Sequence, residues 1–119
     1  METLIFVYGT LKKGFHAHRL MEDIGAKFIG ERTTASRYHL FDQGNFPGMM
    51  IGDQTGGVHG ELFSIPSDQQ IHLDRYECVD EGLFTPELIE LSDGSQALAY
   101  LYSGDCSRAK KVNEGVWHE

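Results

Sequence analysis

The sequence predicts an α+β fold in which short strands outnumber helices, and three observations support this class. Two apolar runs rich in β-branched and aromatic residues, 5–8 and 58–65, have the length and composition of strands. An Asp-Gly dipeptide at 93–94 is a strong hairpin signal between two further strand-like segments. The stretches 15–23 and 67–77 instead carry apolar residues at helical spacing.

The strand-like segments follow one another along the chain with turn signals between them. In order, they are 5–8, 26–41, 49–51, 58–65, 83–91 and 97–102. Pro86 lies inside one of them and predicts an edge strand or a bulge, because proline cannot donate a ladder hydrogen bond. A chain of 119 residues is long enough to bury one core, so we expect one domain over residues 1–119.

The two predicted helices have recognisable ends. The first covers 15–23 and stops at Gly25, a residue type that favours helix termination. The second starts at Ser67, which can cap the first turn, and Gln70 completes a capping box. Glu77 then falls at the C-terminus of this helix and faces partly inward, where a negative charge is unfavourable. Such a conflict between a residue and its surroundings is typical of functional positions.

Composition and charge limit the kinds of molecule that the protein is expected to bind. The formal net charge is −8, whereas nucleic acids and anionic membranes bind basic patches, so we expect neither as a partner. No stretch is long enough to span a bilayer, and the N-terminus lacks the basic region of a signal peptide. Cys78 and Cys106 have no metal-type spacing and are predicted to be reduced thiols. We therefore expect a cytoplasmic protein, whose oligomeric state the sequence does not predict.

The segment 5–14 (IFVYGTLKKG) joins the first strand to a turn between Gly9 and Gly14. Loops held at strand ends are common ligand sites, because the scaffold is rigid and backbone amides are free. The glycine spacing imitates a phosphate-binding loop, which needs Lys and then Ser or Thr directly after the second glycine. Phe15 and His16 follow here, so a nucleotide site of that type is not expected.

A metal site at His16 and His18 is disfavoured, because residues two apart on a helix point in different directions. No nearby carboxylate completes a known ligand pattern. Like His59, both histidines are interpreted as polar side chains on solvated surfaces. We therefore expect no metal and no other cofactor.

Several short motifs follow one another along most of the chain. They are VYGTLKKG at 7–14 with His-Arg at 18–19, FPG at 46–48, VHGELF at 58–63, LDRYE at 73–77 with Leu-Phe at 83–84, and AYLYSGD at 99–105. In this order they resemble the motifs of the γ-glutamylcyclotransferase superfamily, and most closely those of the γ-glutamylamine cyclotransferase (AIG-like) proteins. The resemblance implies a small mixed β-barrel flanked by short helices.

The resemblance also implies an activity. Enzymes of this kind cyclise the γ-glutamyl group of a small amine or peptide to 5-oxoproline and release the amine. A glutamate is the catalytic acid/base in the family, and Glu77 occupies the matching position. The substrate-binding positions that the resemblance implies are Tyr8, Gly9, Thr10, Leu11 and Tyr100. Backbone amides of the turn would hold the glutamyl carboxylate or the developing oxyanion, and the expected partner is a small γ-glutamyl molecule.

This chain departs from the family pattern at three positions, which leaves its substrate open. Cys78 stands where many members have glycine, Phe84 where tyrosine is frequent, and Pro86 where arginine is expected. Two other functions remain as alternatives: a non-catalytic binding module for a small metabolite on the same fold, and an interaction domain that uses the acidic surface. From the helix alone, Glu77 would be an ordinary surface carboxylate. Trp117 is expected to dock on the domain, and the basic cluster before it to be solvated.

Overall fold

A computed structural model describes residues 1–44, 46–52, 56–104, 109–112 and 114–118. The strands are β1 (Glu2–Val7), β2 (Lys27–Thr33), β3 (Tyr38–Asp42), β4 (Pro47–Ile51), β5 (His59–Pro66), β6 (Phe84–Glu90), β7 (Gln96–Tyr102) and β8 (Lys110–Lys111). The α-helices are α1 (His18–Asp23) and α2 (Gln70–Tyr76), and two 3₁₀ turns cover Ser67–Gln69 and Val79–Glu81.

The strands form one mixed sheet with β1 and β7 at its centre. β1 pairs antiparallel with β5, which in turn pairs with β2. β7 pairs in parallel with β1 and with β4, and it pairs antiparallel with β6 over its whole length. β3 lies beside β4, and β8 lies beside β3. An isolated bridge between Thr34 and Leu91 joins the end of β2 to the end of β6, so the sheet curls into a half-barrel. The predicted α+β mixed barrel is confirmed.

Alternation along the central strands divides the buried side chains between the two faces of the sheet. In β1 and just after it, Phe6 and Tyr8 join a cluster inside the curl that also contains Trp117. Ile5 and Val7 point the other way, into a second cluster that α1 and α2 cover. The expected docking of Trp117 is confirmed, because only 8% of this residue is exposed.

The first helix is shorter than predicted. α1 begins at His18 rather than at residue 15, because the chain before it follows successive turns. In these turns the Lys12 amide donates to the Gly9 carbonyl at 3.0 Å, and the Ala17 amide donates to the Thr10 carbonyl at 3.1 Å. Those hydrogen bonds hold residues 9–17 in a folded loop at the end of β1.

The predicted capping box at Ser67 is wrong. A 3₁₀ turn precedes α2, and neither it nor α2 has a side-chain cap. The Ser67 hydroxyl instead hydrogen bonds to the Thr3 hydroxyl at 2.7 Å, so a contact with β1 takes the place of the local cap. The C-terminal end of this helix agrees with the prediction, because α2 ends at Tyr76 with Glu77 as its C-cap residue.

The hairpin predicted at 93–94 is present between β6 and β7. Pro86 lies on an edge strand, as predicted, since β6 pairs with β7 alone among the named strands of the described chain. The predicted strand 26–41 is two strands, β2 and β3, and the predicted strand 49–51 begins earlier, because Pro47 already belongs to β4.

The C-terminal tail contributes a strand that the sequence did not predict. Lys110 and Lys111 form β8 against β3, although their side chains are exposed as expected for a basic cluster. Cys78 is a free thiol. Cys106, predicted to be a reduced thiol, and Arg108, which belongs to the basic cluster with Lys110 and Lys111, lie outside the described residues. No helix in the described ranges is long and apolar enough to cross a bilayer.

Candidate functional site

A pocket of about 230 Å³ opens where the end of β1, the turn after it, the end of α2 and the start of β6 meet. Glu77 and the turn after β1 therefore face one cavity although they are far apart in the chain. Its lining residues are Phe6, Val7, Tyr8, Gly9, Thr10, Leu11, Phe46, Pro47, Tyr76, Glu77, Leu83, Phe84 and Tyr100.

The turn after β1 lines this pocket with Gly9, Thr10 and Leu11. The carbonyls of Gly9, Thr10 and Leu11 each accept a hydrogen bond from the protein, from the Lys12 amide, the Ala17 amide and the His18 ring. Within the described chain, the amides of the same three residues have no protein acceptor. Fixed carbonyls hold the peptide planes in place, so these N–H groups form a ready concavity for an anionic oxygen.

Gly9 is required by close packing. A Cβ at this position would overlap the Pro47 ring, so any larger residue would push the turn away from β4. Pro47 thus fixes one wall of the pocket and the position of the turn together.

Glu77 is held at the end of α2 by backbone geometry. Its amide donates to the Leu73 carbonyl at 2.9 Å, and the next residue, Cys78, adopts the left-handed conformation (φ 55°) that turns the chain out of the helix. In the described part of the chain no hydrogen bond or ion pair reaches the Glu77 carboxylate. Burial raises the pKa of Glu77 to about 8, because the ionised form loses water without gaining a protein partner.

Most hydroxyl groups of the pocket have protein partners. Tyr8 donates to the Tyr100 carbonyl at 2.7 Å and accepts from the Met49 amide at 3.0 Å, so its hydroxyl ties three strands together. The Tyr100 hydroxyl donates to Asp74 at 2.6 Å. Burial raises the pKa of both tyrosines, so they stay protonated near neutral pH.

A further hydroxyl pair spans the pocket. Thr10 Oγ1 lies 2.7 Å from the Tyr76 hydroxyl and connects the turn after β1 to the end of α2. This contact couples the position of the free amides to the helix that carries Glu77. Either oxygen of the pair acts as the donor.

All six residues expected to form the site, Tyr8, Gly9, Thr10, Leu11, Glu77 and Tyr100, line the pocket. Sequence reasoning assigned no site role to four apolar lining residues, Phe46, Pro47, Leu83 and Phe84, nor to Tyr76. The signal that was available is their position beside matching motifs, since FPG at 46–48 and Leu-Phe at 83–84 both belong to the resemblance. In the described ranges, no group of three His, Cys, Asp or Glu side chains is arranged to hold a metal ion.

A second cavity, of about 500 Å³, lies on the other side of Lys12, beside Trp117. Lys12 is buried and donates to the Trp117 carbonyl at 3.0 Å, and burial lowers the pKa of its ammonium group. Neither Glu77 nor the unpaired amides line this larger cavity. The smaller pocket is therefore the candidate site.

Known proteins resemble this chain in sequence over nearly its whole length. The sequence model of the family described as gamma-glutamyl cyclotransferase, AIG2-like matches residues 5–119. A Vibrio cholerae protein provisionally named a gamma-glutamylcyclotransferase is 31% identical over 117 residues, which cover 98% of this chain and 96% of that protein.

Solved structures share the fold. A uropathogenic E. coli-specific protein superimposes with a TM-score of 0.85 at 28% identity, covering 98% of this chain and 93% of the other. An AIG2-like protein of Mus musculus gives a TM-score of 0.79 at 23% identity, covering 94% and 86%. The extent of the sequence match, together with the pocket built from its motifs, shows that this chain belongs to the gamma-glutamyl cyclotransferase, AIG2-like family.

Proposed function

We propose that this protein cyclises the γ-glutamyl group of a small γ-glutamyl amine or peptide to 5-oxoproline and releases the amine, with Glu77 as the general acid and base. One observation carries the proposal. A partly buried carboxylate without a protein partner shares a small pocket with three unpaired backbone amides. These two elements complement the ammonium and the carboxylate at the head of a γ-glutamyl group.

The head group would bind through opposite charges. The α-carboxylate of the substrate accepts hydrogen bonds from the amides of Gly9, Thr10 and Leu11, to which no described residue offers a competing acceptor. The α-ammonium lies against Glu77 and lowers the pKa of its carboxyl group, because a nearby positive charge favours the ionised form. Binding of the substrate thus prepares the base.

The reaction then proceeds within one molecule. Glu77 takes a proton from the α-ammonium, and the freed amine attacks the γ-carbonyl carbon, which forms the ring C–N bond and a tetrahedral oxyanion. Glu77 next gives this proton to the departing nitrogen and takes the second proton from the ring nitrogen, which became positively charged when the ring closed. The oxyanion collapses to the ring carbonyl, the bond to the leaving amine breaks, and 5-oxoproline and the amine remain. Glu77 passes the second proton to the released amine, which leaves as an ammonium ion, so the carboxylate is restored, the proton count balances and no co-reactant is required.

The rate enhancement expected from this mechanism fits the groups in the pocket. Nucleophile and electrophile share one molecule, so the pocket mainly selects the ring-closing conformer. General acid–base catalysis by one carboxylate typically contributes ~10²–10⁴-fold. Burial raises the pKa of Glu77 to about 8, which is close to the operating pH and suits a group that must both accept and donate a proton.

The test is the release of 5-oxoproline from a panel of γ-glutamyl amines, amino acids and peptides by the wild-type protein and by Glu77→Gln. The glutamine keeps the shape of the side chain and removes the base, so we expect turnover to fall by roughly 10²-fold or more. Glu81→Gln is the matched control, because it makes the same chemical change at an exposed position four residues away. We expect it to retain wild-type turnover.

Two results would contradict this mechanism. Wild-type turnover in Glu77→Gln would remove the carboxylate from the chemistry. Saturable binding of γ-glutamyl compounds without 5-oxoproline release from any member of the panel would favour the alternative, a non-catalytic metabolite-binding module on the same fold.

A further inference from the structure

We propose that the second cavity binds a free α-amino acid with an apolar side chain, with its carboxylate on Lys12 and its ammonium group between Glu31 and Glu61. This site is independent of the proposed function, because the cavity shares no lining residue with the pocket that contains Glu77. All three charged residues line the cavity, and none of them forms an ion pair within the described chain.

Lys12 is a buried cation without a carboxylate partner. Only 7% of the residue is exposed, and its ammonium group donates to the Trp117 carbonyl at 3.0 Å and lies 4.6 Å from the centre of the Phe15 ring. An ammonium group has three N–H donors, so it retains donors beyond the one that binds this carbonyl. A buried charge is costly unless it is paired, and a carboxylate that enters the cavity would supply the missing partner.

Two neighbouring glutamates of the cavity leave a place for a cation. Glu31 on β2 and Glu61 on β5 are directly opposite each other in the antiparallel ladder, so their side chains lie side by side on one face of the sheet, where like charges are unfavourable. Glu61 accepts a hydrogen bond from the Lys13 amide at 2.7 Å, whereas the Glu31 carboxylate has no hydrogen bond with a described residue. An ammonium group between the two carboxylates would remove their repulsion and gain charge-assisted hydrogen bonds.

The balance of charges favours a zwitterion over a simple anion or cation. The other fixed charges of the cavity, Arg32 and Asp93, have opposite signs and offset each other, so one cation and two anions remain. Burial lowers the pKa of Lys12, and the charges of Glu61 and Glu31 oppose this shift, so the three groups act on one another. A ligand with a carboxylate alone would be repelled by the glutamates, and one with an ammonium group alone would leave Lys12 unpaired. An α-amino acid carries both groups on one carbon.

The apolar part of the cavity lining would receive the side chain of the amino acid. Phe15, Val116 and Trp117 line the cavity together with the charged groups. An apolar side chain that covers them is removed from water, which favours binding. Leucine, with a branched hydrocarbon side chain, is therefore a suitable test ligand.

Tryptophan fluorescence reports binding at this cavity, because Trp117 is the single tryptophan of the chain and lines the cavity. The wild-type protein is titrated with L-leucine and with two analogues: 3-methylbutylamine, which lacks the carboxylate, and 4-methylpentanoate, which lacks the ammonium group. We expect a saturable change, with an affinity for leucine at least roughly tenfold higher than for either analogue, because each analogue loses charge-assisted hydrogen bonds. A smaller advantage for leucine, or no saturable change, would overturn the inference.

Two variants assign the two charged contacts. Lys12→Met keeps most of the aliphatic stem and removes the cation, so it should lower the affinity for leucine roughly tenfold and not that for 3-methylbutylamine. Glu31→Gln should lower the affinity for leucine roughly tenfold and not that for 4-methylpentanoate. Glu31 is exposed, so its variant tests the inference even if Lys12→Met does not fold.

Matched controls make the same chemical changes outside the cavity. Lys13→Met and Glu22→Gln alter exposed residues that do not line it, and we expect both variants to bind leucine with wild-type affinity. A loss of affinity in Glu31→Gln no larger than in Glu22→Gln would overturn the assignment of the ammonium group to the two glutamates.

Discussion

Replacement of Glu77 by glutamine should change how the stability of the fold depends on pH. Burial raises the pKa of Glu77 from 4.5 to about 8 in the folded protein, whereas the unfolded chain keeps the ordinary value. Between these two values the folded state holds a proton that the unfolded state has released. The free energy of unfolding of the wild type therefore falls as pH rises through this interval, and the neutral glutamine variant lacks this loss.

The size of the effect follows from the shift. One pKa unit corresponds to ~1.4 kcal/mol, so a shift from 4.5 to about 8 sets an upper limit of roughly 5 kcal/mol. Glu77 keeps partial access to water through the pocket, which reduces the penalty on its ionised form. We therefore expect Glu77→Gln to be more stable than the wild type by roughly 2–3 kcal/mol above about pH 8. The difference should be nearly gone at pH 4.5, where half of the unfolded chains hold the proton, and should disappear about one pH unit lower, where both states hold it.

Urea unfolding of the wild type, Glu77→Gln and Glu81→Gln at several pH values between about 4.5 and 9 measures this difference. Glu81 is exposed and should give a difference from the wild type that hardly changes with pH. The reasoning is refuted if the stability difference for Glu77→Gln is equally flat, because Glu77 would then titrate alike in the folded and unfolded chains.

Two further substitutions test how the pocket is held. In Tyr8→Phe, a buried amide on β4 and a carbonyl on β7 lose their shared hydroxyl partner, so the free energy of unfolding should fall by roughly 1–3 kcal/mol in urea denaturation. An unchanged midpoint would show that this hydroxyl does not tie the strands together. In Cys78→Gly, the left-handed conformation (φ 55°, ψ 45°) becomes unstrained. Relief of the backbone strain is worth ~1–2 kcal/mol, but glycine also gives the unfolded chain more conformational entropy, which offsets part of this. The free energy of unfolding should therefore rise by roughly 0.5–1 kcal/mol. Cys78→Val, which puts a branched Cβ in that conformation, should be less stable than the wild type, and the reverse order would contradict the assignment of strain.

Local sequence patterns determined much of this fold. The strands were recognisable from apolar runs and alternation, and the β6–β7 hairpin from one Asp-Gly dipeptide, because backbone conformation in such segments depends on nearby residues. The position of Glu77 at a helix end and the turn after Gly9 were also predicted. Each of these features involves a short stretch of chain in which the deciding residues are neighbours.

Predictions failed where a distant partner competes with a local interaction. Ser67 has the sequence of a helix cap, but its hydroxyl bonds to Thr3, 64 residues away in the chain. The basic residues of the tail gave no strand signal, and β8 forms because β3 offers a free edge. The first helix is short because its predicted first turn hydrogen bonds to the loop after β1.

The sequence by itself determined which residue types stand at the turn and at the end of α2, and from their resemblance it indicated the family. The tertiary structure decided that Thr10 meets Tyr76, 66 residues further on, and that Phe46 packs on Phe84 to make an apolar wall. It also decided that the amides of the turn stay unpaired while their carbonyls are tied down. These features depend on the curl of the sheet, which brings distant segments of the chain together. Contacts between distant segments produce no local sequence pattern, so they could not be predicted from the sequence.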